Sequence, residues 1–563
     1  MDQDTYYVPK QTGTYADVLM AYGLATLIDR IFQQAKGPGA TWRIEIADGG
    51  SHYLVRLSEP LQRAWVQSCP FFQSPAAWIM TRPREQKEEK QRPPTSTPTR
   101  DVGATWDQVC AYQQQRSALW DQGIRGTDAE QQLRDLEPPL DWTVVAYLGD
   151  YRMQAMGIYN RIVGSWAGGR GQFPALLEAV LSLYVRPYSE PQEMSEAWAR
   201  QAKNLNIKPK ETASQLLNPH QGKGQNEPKA SALRMDNIKD RPWPEEYLKA
   251  VGLWTCLAPR KVVDTNDWKV YVLAPLRLSF RAHQEAFRRF NHYLWNERRR
   301  DETSLKSDIT SLLLFARAWL DYVEGAGRDE YDFDADPSFA APEKTVAGFH
   351  VAQFKLLSQH AYTMVNLSFL NLPAWSGQPQ NRAEALQLKE VIDEHLDVIR
   401  GIDETHSDGY DLLRRYRDFV AGGKWSAFFD FAAGYSHEII RRYNAGERWV
   451  PTFSTPLLRR LIMSSNKPLL PIVETPGFQN VAYAIRHSTI IPQSRKARNE
   501  DNLYDVRYGL GAELKRKATV RDEFVVALSN FMQNYNQENA QVLENKKQRS
   551  EERRVGKECL SSW

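Results

Sequence analysis

The periodicity of apolar residues changes once along this chain, and that change limits the fold more than any single motif. Up to about residue 375, helical and alternating patterns interleave; from Asn381 onward the texture is helical. Tyr15–Gln34 (YADVLMAYGLATLIDRIFQQ) places Val18, Leu19, Tyr22, Leu24, Ala25, Leu27, Ile28, Ile31 and Phe32 on a wide helical face. Thr14 stands as a cap and Lys36-Gly37-Pro38-Gly39 as the stop. Trp42, Ile44 and Ile46 then alternate, Asp48-Gly49-Gly50 supplies a turn, and Tyr53, Val55 and Leu57 alternate again, which predicts a β-hairpin. Asp141–Leu148 and Ile158–Val163 read as apolar elements returning to the same core. Trp268, Val270 and Val272, followed by Leu276, Leu278 and Phe280 around Pro275, predict two short strands or a bent one. Beyond Asn381, Leu388, Val391, Ile392, Leu396 and Ile399 keep the helical period, as do Leu412, Tyr416, Phe419 and Val420, and then Phe524, Leu528, Phe531 and Tyr535. The expected fold is therefore an α+β N-terminal region (1–375) followed by a C-terminal all-α helical bundle (376–548), with no repeat of solenoid period.

A chain of 563 residues with 42% hydrophobic and 11% aromatic content can bury a sizeable core, which argues against general disorder. Its net charge of +3 is too near zero to name a partner, so any anion-binding surface must be local. The four cysteines lack CxxC spacing, which fits a reducing compartment and argues against a cysteine zinc site. The N-terminal MDQDTYYVPK is acidic without an apolar run, and no stretch approaches the ~18–20 apolar residues of a membrane span. A soluble cytoplasmic protein is expected. Thr81–Arg100 (TRPREQKEEKQRPPTSTPTR), within a segment spanning 81–103, reads as a solvated linker or surface loop. Residues 549–563 begin RSEERRVGKEC, which resembles the translation of a sequencing adapter. They are set apart from fold reasoning, the alternative being a charged helix end.

The least ordinary loop runs from Leu217 to Arg234, LNPHQGKGQNEPKASALR. Asn218-Pro219, Gly222, Gly224 and Pro228 stand too close together for a helix or strand between them. Lys223 lies between two glycines, which permit close backbone approach, and offers a point charge to phosphate. Asn218, Gln221, Gln225 and Asn226 offer amides able to read base edges, and Lys229 adds a further cation. Gly222-Lys223 is followed by Gly224 rather than Ser or Thr, so this is not a nucleotide-binding P-loop. A solvated flexible loop is the alternative. Two weaker candidates are the glycine-rich SWAGGRGQF (165–173), either a tight turn or a phosphate cradle, and the helical Ser279–Arg300, whose arginines form either a solvated or a nucleic-acid face.

Catalytic signatures are missing from the sequence. HEIIR (437–441) has Arg441 where a zinc-protease helix needs its second histidine. Asp329–Asp336 lacks the glycine and closing glutamate of a calcium loop, and His350 and His360 read as core or surface histidines. No catalytic residue, metal or cofactor is expected. Near the C-terminus, FQNVAYAIRHSTIIPQSRKAR (478–498) interleaves aromatics with Arg486, His487, Arg495, Lys496 and Arg498, which suits a path along a nucleic-acid backbone.

The early YADVLMAYGLATLIDRI helix, the NPHQGKGQN loop and the late FQNVAYAIRHST…YDVRYGLGAELKRKA…FxxxLxxFxxxYNxEN run together resemble the large subunit of type I CRISPR Cascade effector complexes, nearest to diverged I-A/I-B-like forms. The resemblance spans most of residues 1–545 in layout. It implies an N-terminal α+β domain that reads the short motif flanking the target, and a C-terminal bundle like the separate small subunit. It also implies a non-catalytic role, with a helicase-nuclease recruited in trans. Implied partners are the backbone and crRNA-handle-binding subunits, small subunits, crRNA and double-stranded target DNA, with no membrane. In such complexes base pairing reads sequence while protein reads a short duplex motif and holds backbone. On that footing Asn218, Gln221, Lys223, Gln225, Asn226 and Lys229 are expected at the flanking-motif duplex. Arg486, His487, Arg495, Lys496 and Arg498 are expected to guide a DNA strand. The alternative from another class is a structural or RNA-binding scaffold without DNA-motif recognition.

Overall fold

The computed structural model describes residues 2–73, 75–76, 106–136, 155–209, 213–220, 241–262, 265, 267–297, 303–325, 345–358, 361–373, 379, 382–465, 469–497, 500 and 504–560. The 81–103 linker, Asp141–Leu148, Asp329–Asp336, His360 and Arg298–Arg300 lie outside them. The chain divides into two compact units: Met1–Ser307 with Ser311–Leu372, and Asp308–Thr310 with Pro373–Trp563.

The first unit contains two four-stranded antiparallel sheets. In the first, β1 (Gln3–Pro9), β3 (His52–Leu61), β2 (Ile44–Asp48) and β6 (Arg277–Ser279) are neighbours in that order. Ile46 faces Val55 on one side and Leu278 on the other. The second has the order β4 (Leu257–Lys261), β5 (Trp268–Pro275), β7 (Val346–Ser358) and β8 (Ala361–Asn371), with Val270 opposite Ala352 and Ala352 opposite Leu367. The Trp268–Phe280 stretch is thus two strands in different sheets. The chain leaves the second sheet at Pro275, whose ring cannot donate to the ladder, and enters the first at Arg277.

Helices α1 (Tyr15–Lys36), α2 (Arg63–Gln67), α3 (Trp106–Asp121), α4 (Thr127–Leu133), α5 (Ala155–Ala167), α6 (Phe173–Ser182), α7 (Pro191–Gln201), α8 (Pro244–Cys256), α9 (Phe280–Glu297) and α10 (Ser304–Gly325) complete the unit. Thr14 caps α1 through its hydroxyl, which accepts from the Ala16 N–H, and Gly37 takes the positive φ of 76° that ends the helix. All of Tyr15–Ile28 and all of α8 are buried, so α8 and the first fourteen residues of α1 are enclosed on every side. They cross at backbone contact. A Cβ on Gly23 would fall inside the Leu248 carbonyl oxygen, and one on Gly252 inside that of Leu19. Leu19–Thr26 and Leu248–Thr255 share the pattern Leu-x-Ala-x-Gly-Leu-x-Thr, and each helix is followed by an antiparallel hairpin, β2–β3 or β4–β5. α9 and α10 cover one face of the second sheet, where Phe349 meets Phe290 at 5.5 Å, Phe315 at 5.3 Å and Tyr271 at 6.0 Å between ring centroids.

The second unit is helical: α11 (Arg382–Arg400), α12 (Ser407–Gly422), α13 (Trp425–Asn444), α14 (Thr455–Ser465), α15 (Leu470–Val473), α16 (Pro476–Ser488), α17 (Ile490–Ala497), α18 (Leu510–Lys517) and α19 (Arg521–Leu560). α12 and α13 are joined through Gly423, whose φ of 63° closes the first helix. Tyr416, Phe419, Phe428, Phe431 and Phe453 form an aromatic core around buried His395, which shares a 2.5 Å hydrogen bond with the Tyr416 hydroxyl. Phe531 and Tyr535 of α19 pack with Ala484, Leu510 and Leu514 in a second cluster. α19 continues to Leu560, into the adapter-like segment. Among the described residues no helix is long and apolar enough to cross a membrane.

The α1–α8 crossing makes a direct prediction. Gly23→Ala must push two buried helices apart and should cost at least the ~1–3 kcal/mol typical of overpacking. Gly477→Ala, at a helical position with open space around it, should change stability by less than about 1 kcal/mol. Denaturant unfolding of the two variants tests the contrast.

Candidate nucleic-acid interface

Two groups of residues carry the sequence-based site, and the structure treats them differently. Of the loop group, Gln221, Lys223, Gln225, Asn226 and Lys229 lie outside the described residues; only Asn218 is within them. It is 1% exposed. Its amide nitrogen donates to Glu246 at 2.8 Å and to the Ser214 carbonyl at 3.2 Å, and its oxygen accepts from Lys249 Nζ at 2.7 Å. Lys249 also bonds Glu246 at 2.7 Å. Asn218 therefore presents no amide to a base edge. The expectation for this residue is corrected: a buried ammonium needs close acceptors on several sides, and Asn218 is one of them.

Arg241 plays the matching part at the far end of segment 221–240, donating to Gln11 at 3.1 Å and pairing with Glu245 at 3.7 Å. Glu245 and Glu246 open α8 as Asp17 opens α1, each carboxylate near the positive end of a helix. Burial pushes Asp17 up to about 6 despite hydrogen bonds from the Thr12 and Gly13 N–H groups and the charge of Lys249. Burial likewise raises Glu245 against the pull of Arg241 and Lys249. Both stems of the segment are thus pinned to one buried network at the start of α1 and α8.

The second group lies on consecutive helices of the helical unit. Thr475 caps α16 by accepting from the Phe478 N–H, with Pro476 at the first turn. Ala484 and Ser488 face inward, so Arg486 and Tyr483 face outward. α17 follows at once, anchored by the buried Gln493, whose amide bonds Asn444 and the Tyr508 hydroxyl. This anchoring brings Arg486, His487 and Arg495 together: the His487 pKa is lowered by burial first, then by the charges of Arg495 and Arg486. Both effects favour the neutral form of the His487 ring. Arg486 donates to the Thr455 hydroxyl at 3.3 Å and remains exposed, as does Lys496. Among the described residues, neither Arg486, Arg495 nor Lys496 has an acidic partner within salt-bridge distance. Arg498 lies outside the described residues.

Other basic groups nearby are committed to structure. Arg507 pairs with Glu538 at 2.8 Å, Lys515 with Asp430 at 2.7 Å and Lys517 with Glu523 at 2.8 Å. On α9, Glu285 pairs with both Arg288 and Arg289, at 2.8 and 2.9 Å, which leaves one net positive charge among the three. In SWAGGRGQF, Trp166 is buried and stacked on Tyr247 at 4.0 Å, and Gly169 lies against Leu176 and Ile207, so the stretch is a joint between α5 and α6. In HEIIR, Arg441 holds Glu438 at 2.7 Å. His350 stands edge-on to Phe369 at 4.9 Å, its pKa pushed down to about 4 by burial and then by Lys10. Among the described residues no three His, Cys, Asp or Glu side chains converge as metal ligands do.

Sequence reasoning passed over Tyr483, the exposed ring one helical turn before His487. Their i, i+4 spacing was the available signal. No family model matches the chain, and no curated protein matches it.

Asn218→Ala should lower unfolding free energy by about 1.5–3 kcal/mol, because it strips a hydrogen bond from each of two buried charges. Asn204→Ala, at an exposed position, should leave the unfolding midpoint unchanged. Urea titration compares them.

Proposed function

We propose that this chain is a non-catalytic large subunit of a crRNA-guided DNA surveillance complex of the type I Cascade class. In this reading the helical unit holds a DNA strand displaced or exposed at the target. The loop bearing Gln221, Lys223, Gln225, Asn226 and Lys229 reads the motif flanking the target in the duplex. Other Cascade subunits and crRNA supply sequence recognition, and a helicase-nuclease acting in trans supplies cleavage.

The observation that carries the reading is the cationic set of Arg486, Arg495 and Lys496. These groups lie on adjacent helices, without acidic partners among the described residues, in a unit that pairs most of its neighbouring cations internally. Unpaired cations on a rigid helical surface suit phosphate contact, which positions a strand without reading its bases. The exchange of a DNA duplex for an RNA–DNA heteroduplex is near balance, so a few such contacts can tip it. The anchoring of Asn218 and Arg241 supports the loop's part, since a reader must be held at its stems.

The test is target-DNA binding by the assembled complex at several salt concentrations. Arg495→Ala with Lys496→Ala should flatten the slope of log affinity against log salt by about 1.4 if the contacted strand is single and about 1.8 if it is duplex. In the same assay, Lys223→Ala, Gln225→Ala and Asn226→Ala together should erase the preference for targets carrying the flanking motif. An unchanged slope removes the strand path, and unchanged discrimination removes the loop. Loss of neither leaves the scaffold alternative standing.

A further inference from the structure

An exposed tyrosine forms the outer end of a ladder of rings on the helical unit. Tyr483 is 58% exposed and lies against His487, with ring centroids 4.0 Å apart. His487 meets Tyr504 edge-on at 5.3 Å, Tyr504 stacks on Tyr535 at 5.7 Å, and Tyr535 continues to Phe531 at 6.3 Å. Phe531 and Tyr535 belong to the buried cluster of α16, α18 and α19, and Arg507 lies over the Phe531 ring at 5.4 Å. The Tyr504 hydroxyl donates to Asn539 at 2.7 Å, and Arg507 bridges Glu538 and Ser488. The ladder is therefore fixed at its inner end. Its outer ring is backed by a neutral imidazole, since burial and the neighbouring Arg495 and Arg486 keep His487 deprotonated.

An exposed ring gains from being covered, because covering it removes apolar surface from water. A flexible aromatic would lose conformational freedom on covering; this one is already held by His487 on one side. The surrounding charge narrows the kind of cover. Arg486 and Arg495 both act on His487, and exposed Lys496 follows Arg495 on the same helix. A flat apolar surface rimmed by cations matches a nucleobase attached to phosphate: the ring takes the base face and the rim takes the backbone. A base inside a duplex has both faces occupied, so the match is to an unpaired strand.

We propose that Tyr483 is a stacking platform for one unpaired nucleobase, with the adjoining phosphates held by Arg486, Arg495 and Lys496. The proposal rests on the strand-holding role assigned above and specifies the form of the strand.

The experiment measures binding of the purified full-length chain to oligothymidylate containing one 2-aminopurine, and to a duplex of the same length. Stacking on an aromatic ring is worth roughly five- to hundredfold in affinity per base. Tyr483→Ala should weaken single-strand binding by that factor, abolish the quenching of 2-aminopurine fluorescence, and leave the salt slope unchanged because no charge is removed. Tyr483→Phe should restore both affinity and quenching. Duplex binding should not respond to either change. If Tyr483→Ala binds single strands like the parent while Arg495→Ala with Lys496→Ala does not, the stacking role is overturned and the strand path survives. If neither variant differs from the parent, both fail. Loss of duplex and single-strand binding in equal proportion would also overturn the platform.

Discussion

Gly23 and Gly252 let two helices touch backbone to backbone, and the packing of the first unit follows from that contact. Each glycine sits on a carbonyl of the opposite helix, four residues after a leucine whose own carbonyl receives the other glycine. The relation is reciprocal, and the shared Leu-x-Ala-x-Gly-Leu-x-Thr pattern makes the two helices locally equivalent. Only a residue without Cβ can stand at such a point. Tyr15–Ile28 of α1 and the whole of α8 are buried, and only the last turns of α1 reach solvent. α1 touches β3 of the first sheet and β5 of the second. Each helix of the pair leads into a hairpin: β4 follows α8 without a break, and β2 follows α1 after residues 37–43.

The polar network at the start of these helices is a consequence of the same enclosure. Asp17, Glu245 and Glu246 favour the first turns of helices, where unpaired N–H groups carry partial positive charge. Enclosing those turns removes water from three carboxylates, and Lys249, Arg241 and Asn218 enter to compensate. Compensation is incomplete: burial still raises Asp17 and Glu245. The arrangement fixes the stems of the 221–240 segment to the most buried part of the unit.

Local patterns were legible where hydrophobicity and burial alternate together. The β2–β3 hairpin and the cap and stop of α1 follow from alternation and from Thr14 and Gly37. The α+β and helical halves were legible for the same reason. β1 was not: its seven residues, QDTYYVP, have too few apolar side chains to declare a strand, and its order comes from pairing with β3. The long hairpin of β7 and β8 was also missed. Its outer strand carries Val365, Leu367 and Phe369 exposed, so burial does not alternate with hydrophobicity in the expected sense. Asn218 was misread because a sequence shows an amide beside a proline and a lysine-glycine run, but not the buried ammonium 31 residues away that consumes it. The Leu-x-Ala-x-Gly-Leu-x-Thr repeat was present in the letters. Its meaning depends on a crossing that no local window contains.

The helical unit raises a question about charge that counting residues does not answer. Its late segment is rich in arginine and lysine, yet a cation opposite a carboxylate at 2.7–2.8 Å, as in Lys515–Asp430 or Arg507–Glu538, has little attraction left for a phosphate. Arg507, which also bonds Ser488, ties α19 to α16, whereas the exposed Lys515–Asp430 pair contributes little to stability. Arg486, Arg495 and Lys496 differ because the residues that fix their helices are other ones: Ala484, Ser488 and Gln493 face inward in their place. Packing and ligand contact are then carried by different side chains of the same two short helices. That separation makes the exposed face interpretable. Its cations and the ring of Tyr483 can be altered singly without removing a residue on which the fold rests.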